Sequence, residues 1–183
     1  MHLAIEVGGT SIRLATVASQ LPGFKNLSEL VSLLQGFQQI PFQEFETTLS
    51  AIAEYCSGTI YTSIGISSFG PICLIKSSEK FGEILAGACE IKKTWLGKSL
   101  AMRLGDLFGI GIDSIHVETD VNGACFAEII ANKLSNDKEF EVPGENWAYV
   151  TVGTGVGVGL VNTKLMRGAF GGFAGHPEGG HIP

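Results

Sequence analysis

The chain has 183 residues, 45% of them hydrophobic and 16% charged, with a formal net charge of −6. Such a composition can build a hydrophobic core and excludes a disordered chain. The acidic balance, with no basic stripe or run of like charge, argues against nucleic acid as a partner, because phosphate contacts need clustered Lys and Arg.

The opening "MHLAIEVGGT" lacks the basic flank and long apolar stretch of a secretory signal. The longest low-polarity run, "AYVTVGTGVGVGLV", is too short and too glycine-rich to span a bilayer, so no membrane partner is expected. Cys56, Cys73, Cys89 and Cys125 are scattered without a C-x-x-C pair. They read as reduced thiols in a cytoplasmic protein.

In chain order, residues 3–7 form an apolar β-rich run that ends in "GGT", and a second run follows at 12–17. This predicts strand, tight glycine turn, strand. "NLSELVSLL" fits a short helix, and "GFQQIPF" an edge strand that tolerates its proline. Over 44–56, Phe45, Leu49, Ile52 and Cys56 recur at helical spacing. "IYTSIGIS" reads as a strand that "SFGP" breaks. The spacing of Leu96, Leu100, Leu104 and Leu107 predicts a helix over 96–108, with Thr94 as its N-cap. "IHVETD" is a short strand that runs into the helical pattern "VNGACFAEIIANKL", which places Asp120 at a strand-to-helix junction. "NDKEFEVPGEN" is a polar loop, and "WAYVTVGTGVGVGLV" is again strand, glycine turn, strand. Hairpins thus alternate with helices, the pattern of a mixed α/β chain. The likeness between "AIEVGGTSIRLATV" and "AYVTVGTGVGVGLV" suits a duplicated two-lobed architecture in which each lobe offers one glycine turn to a shared cleft.

Two kinds of chemistry follow from these positions. The turns "VGGT" and "VGTG" can be plain hairpin turns, or they can cradle phosphate if glycine admits φ > 0 and close approach. Neither is a Walker loop or a Rossmann turn. Glu6 is either a solvent-facing strand residue or a carboxylate that meets a magnesium–phosphate complex through water. Asp120 is either a helix N-cap or a general base held ionised by the helix dipole, and one geometry can serve both. In "HPEGGH" the spacing is not that of a zinc protease, and the glycines oppose a helix. His176 reads as a turn residue beside Pro177, whereas Glu178 and His181 are open to a ligand.

Taken together, "EVGGTSIRLATV", "GISSFGPICL", "ETDVNGACFAE", "YVTVGTGVGVGLV" and "GHPEGGHI" resemble the successive blocks of the ROK sugar kinases, with "SSFGPI" closest to the bacterial-type fructokinases. The resemblance implies an α/β, actin-like (ribonuclease H-like) two-lobed fold. One lobe would span 1–118, and the start of an incomplete second lobe 119–183. It implies an ATP-dependent hexose kinase, acting on D-fructose, with magnesium as ATP's partner and room for a homodimer. Asp120 would be the general base. Glu6, Gly8, Gly9, Thr10, Ser11, Gly153, Thr154, Gly155 and Gly157 would bind ATP. Thr119, Asp120, Glu178 and His181 would bind sugar, with His181 also the first ligand of a structural zinc.

Three departures accompany the resemblance. Ser11 stands where the family usually carries Lys, and "AGACEIKKT" replaces a Thr-Pro-Lys-Pro-like sugar loop. The chain ends two residues after His181, so the expectation is the N-terminal part of a kinase, with too few ligands for zinc. The alternative is a truncated remnant that binds sugar or nucleotide without turnover. A sugar-responsive repressor fits poorly, because the first strand begins within three residues and leaves no place for a helix-turn-helix.

Overall fold

Alternation of buried and exposed side chains in the first two strands creates the hairpin on which the first unit is organised. The computed structural model describes residues 1–19, 26–87, 90–134, 146–152, 156–162 and 174–175. The chain falls into two units, Met1–Leu21 with Leu33–Glu118, and Pro22–Ser32 with Thr119–Pro183.

In the first unit, β1 (His2–Val7) and β2 (Ser11–Val17) pair antiparallel, with Val7 opposite Ile12. Leu3, Ile5, Val7, Ile12 and Leu14 all point into the core. β3 (Leu34–Pro41) adds antiparallel to β2 as an edge strand, where its terminal proline breaks no central ladder. β4 (Ser63–Ser68) lies parallel to β1 on the other side, and β5 (Ile115–Thr119) completes the order β3-β2-β1-β4-β5. The parallel β1–β4 pair needs a crossover, and α2 (Phe45–Tyr55) lies within it. Phe45, Thr48, Leu49 and Ile52, spaced three and four apart, form the buried face of α2. Each large apolar side chain so buried contributes about 1.5–3 kcal/mol.

The next helix is shorter than its leucine spacing predicts. α3 runs Leu100–Phe108, and its N-cap is Ser99, whose hydroxyl accepts the Met102 N–H at 3.1 Å, rather than Thr94. Only Leu100 and Leu104 of the expected stripe are buried, while Leu96 and Leu107 are exposed. Leu96 instead makes a parallel bridge to Ile84, and Ser99 bridges Glu83, so tertiary pairing claims the segment that the helical pattern suggested. α3 ends on Gly109 at φ 65°, the left-handed stop that glycine adopts without a Cβ clash.

The second unit contains α1 (Leu27–Ser32), α4 (Asp120–Leu134) and a sheet of β6 (Asn146–Val152), β7 (Val156–Asn162) and β8 (Ala174–Gly175). Its small apolar cluster joins Cys125 and Ile129 of α4 to Val161 of β7. Among the described residues, no helix is long and apolar enough to cross a membrane.

Candidate functional site

The first glycine turn links β1 to β2. Gly8 donates its N–H to the Ser11 carbonyl at 3.0 Å, and a Cβ on Gly8 would stand only 3.1 Å from that oxygen. Neither Gly8 nor Gly9 has φ > 0, contrary to the expectation that the turn needs glycine for its backbone angle. Space, not conformation, is what selects glycine at position 8.

Two backbone hydrogen bonds brace the turn from outside. Phe69 donates its N–H to the carbonyl of Val7, and Phe42 donates to the carbonyl of Thr10, both at 3.0 Å. The rings of these two phenylalanines pack with Trp95, which stacks on Phe42 with centroids 5.2 Å apart and meets Phe69 edge-on at 5.7 Å. Trp95 is buried, and its indole N–H donates to the Gln43 carbonyl at 2.9 Å.

Glu6, one of the expected ATP-side residues, faces its cross-strand neighbour Arg13, whose guanidinium donates to the carboxylate at 2.6 Å. Both side chains are partly exposed, so the pair orients the carboxylate more than it stabilises the fold. The other Glu6 oxygen lies 3.7 Å from the point where a Cβ on Gly8 would stand, so the carboxylate borders the turn.

Lys92 was not singled out by the sequence. Its ammonium lies 3.5 Å from the centroid of the Phe69 ring, 5.5 Å from that of Phe42, and 4.0 Å from the Cβ point of Gly9. The only hint in the sequence is its place three residues before Trp95 in the segment that departs from the family loop.

In the second unit, Asp120 is the first residue of α4. The capping bond belongs to the residue before it: the Thr119 hydroxyl accepts the Asn122 N–H at 3.2 Å, while Asp120 Oδ1 accepts the adjacent Val121 N–H at 2.8 Å. The sequence left Asp120 open as helix N-cap, general base or both. Thr119 takes the capping task, and Asp120 sits in the first turn, where the helix dipole favours a carboxylate.

This helix start rests directly on β7. A Cβ on Gly159 would overlap the Val121 carbonyl and stand 3.0 Å from the Asn122 nitrogen, and one on Gly157 would lie 2.6 Å from Val121 Cγ1. Asn122 is fully buried, and its side-chain oxygen accepts the Leu160 N–H at 3.0 Å. Gly157 was expected at the nucleotide, and its visible constraint is this close packing. The alternating glycines of "VGVGL" are thus the surface on which the Asp120-bearing turn is seated.

The structure therefore brings Glu6, Gly8, Gly9, Thr10 and Ser11 together with Lys92 in the first unit. In the second it brings Thr119 and Asp120 together with Gly157 and Gly159. Gly153, Thr154, Gly155, Glu178 and His181 lie outside the described residues. Among the described residues, no group of three His, Cys, Asp or Glu side chains could hold a metal ion.

The family model described as "ROK family" matches residues 2–183. The chain is 31% identical to a fructokinase of Zymomonas mobilis over 97% of its own length and 52% of that protein's. It is 28% identical to a fructokinase of Streptococcus mutans over 100% of its own length and 53% of that protein's. It thus spans about half the length of the curated relatives it matches. Among solved structures, a Listeria monocytogenes protein assigned as an N-acetylmannosamine kinase aligns with a TM-score of 0.61 at 20% identity, over 93% of this chain and 51% of that one. A ROK family protein of Streptococcus pneumoniae, solved with sucrose, aligns at 0.60 and 23% identity, over 93% and 49%. These structural matches give the chain the actin-like fold of the ROK kinases.

Proposed function

The chain belongs to the ROK family, and on that premise we propose that the full-length protein is an ATP-dependent hexose kinase acting on D-fructose. The carrying observation is the placement of Asp120 at the head of α4, where Thr119 supplies the cap and leaves the aspartate in the field of the helix N-terminus.

Asp120 takes the proton of the sugar hydroxyl as that oxygen attacks the γ-phosphorus of ATP; the bond from the γ-phosphorus to the bridging oxygen breaks, and ADP leaves. Phosphoryl transfer of this kind needs positioning and charge neutralisation more than covalent help from the protein. The 8–10 turn, with the backbone N–H groups of Gly9 and Thr10 and the Thr10 hydroxyl, supplies neutral donors for the phosphates. Magnesium, arriving with ATP, would supply charge neutralisation, and Glu6 is the carboxylate beside the turn that would meet its hydration shell. The names of the Zymomonas and Streptococcus relatives favour fructose among hexoses.

The test is coupled ADP release by the full-length protein over a panel of hexoses. Fructose should give the highest kcat/KM, and Asp120→Asn should lower kcat by about a hundredfold or more. Turnover unchanged by Asp120→Asn would remove the aspartate from the reaction.

A further inference from the structure

The 8–10 turn offers an incoming phosphate only neutral donors, and Ser11 at its end brings no charge. A formal cation nevertheless stands beside it. The Lys92 ammonium lies 4.0 Å from the Cβ point of Gly9, seated 3.5 Å over the face of Phe69 with Phe42 at 5.5 Å. The two rings are themselves tied to the turn, since Phe69 donates its backbone N–H to Val7 and Phe42 donates to Thr10, each at 3.0 Å. Ammonium, rings and turn therefore form one braced assembly, and the lysine need not be recruited from solvent when an anion arrives.

We propose that Lys92 is a binding residue for the terminal phosphate of a nucleoside triphosphate at the glycine turn between β1 and β2. This rests on the kinase reading above and adds to it the positive charge that the turn lacks. Hydrogen bonds from a charged donor to a phosphate oxygen are shorter and stronger than those of neutral amides, so one such contact changes affinity measurably. The compact ammonium on a flexible stem suits a point contact with phosphate.

The experiment compares Lys92→Met, which keeps the apolar stem over the rings and removes the charge, with Lys92→Arg and with Lys92→Met combined with Ser11→Lys. In the full-length protein, Lys92→Met should lower kcat/KM for ATP by about ten- to a hundredfold while leaving KM for the sugar within about twofold. Lys92→Arg should retain most of the activity. Ser11→Lys, placing a cation at the other end of the same turn, should recover part of what Lys92→Met loses, which a packing role for Lys92 would not allow. Calorimetry with inorganic tripolyphosphate provides a reading independent of turnover, and Lys92→Met should weaken its binding by a similar factor. Unchanged kcat/KM for ATP in Lys92→Met, with Asp120→Asn still inactive, would overturn the assignment of Lys92 and leave the kinase reading standing. Equal tripolyphosphate affinity in wild type and Lys92→Met, or a defect confined to KM for the sugar, would overturn it too. Absence of any hexose-dependent ADP release by the wild type would instead sink the kinase reading, with the tripolyphosphate comparison still deciding Lys92.

Discussion

The buried side chain of Asn122, two residues after Asp120, accepts the backbone N–H of Leu160 at 3.0 Å and so pins the first turn of α4 to the middle of β7. Removing the acceptor strands a strand N–H in a place water reaches poorly. Asn122→Ala should therefore destabilise the second unit by about 1–3 kcal/mol in urea denaturation. Asn162→Ala provides the contrast, because its amide donates to Asn146 at an exposed position and its loss should cost less than about 1 kcal/mol. Equal costs for the two would mean that the Asn122 bond is not what holds helix to strand.

Gly159 tests the same contact from the other side. A methyl group there has no room, since it would overlap the Val121 carbonyl and press on the Asn122 nitrogen, and both are backbone atoms that cannot rotate away. Gly159→Ala should cost about 3 kcal/mol, the upper end for overpacking. Gly111→Ala, where a Cβ meets nothing within 4 Å, should change stability by less than about 0.5 kcal/mol. A thermal melt of Gly159→Ala indistinguishable from wild type would show that α4 does not sit on β7 as described.

The parts of this architecture set by local pattern were legible in the sequence. Apolar β-rich runs marked β1 and β2, the Phe45–Leu49–Ile52 spacing marked α2, and the glycine turns marked both hairpins. What the sequence hid depends on contacts between distant segments. Leu96 fits the leucine period of α3 but is taken by a bridge to Ile84, and Ser99 becomes the cap because its hydroxyl also donates to the Phe81 carbonyl at 2.8 Å. Thr119 and Asp120 are adjacent residues that both cap helices well, and only the course of the strand decides which one does. Lys92 is seated on rings contributed by residues 42 and 69, a relation that no window along the chain contains. The packing role of Gly157 and Gly159 was not legible either, because the group that approaches them is the start of helix α4, more than thirty residues away in the chain.

Alkaline pH should loosen the first unit through a buried pair. Burial pushes the Cys56 thiol up, and burial together with its hydrogen bond to Cys56 pushes the Tyr61 hydroxyl up more strongly. In the unfolded chain these groups lose their protons at ordinary values, near 9.0 for the thiol, while the folded state still holds them. The folded state then binds more protons, so stability falls as pH rises through about 9 and is fully present below it. The urea midpoint should drop between about pH 8 and pH 10.5, and Tyr61→Phe should flatten that slope. A midpoint constant over this range in the wild type would contradict the pairing.

Stability and chemistry should separate at the head of α4. The Thr119 hydroxyl holds the Asn122 N–H, so Thr119→Val, which keeps the shape and removes the acceptor, should destabilise the second unit by about 1 kcal/mol. Asp120→Asn keeps an oxygen for the Val121 N–H and gives up the charge that the helix dipole favours, so its cost should be less than about 1 kcal/mol. Urea denaturation of the two variants beside their kinetics makes the distinction. Asp120→Asn should be well folded and nearly inactive, because a carboxamide cannot take a proton from a hydroxyl. If Asp120→Asn instead unfolds more readily than Thr119→Val, the aspartate is the structural cap after all, and its loss of activity says nothing about proton transfer.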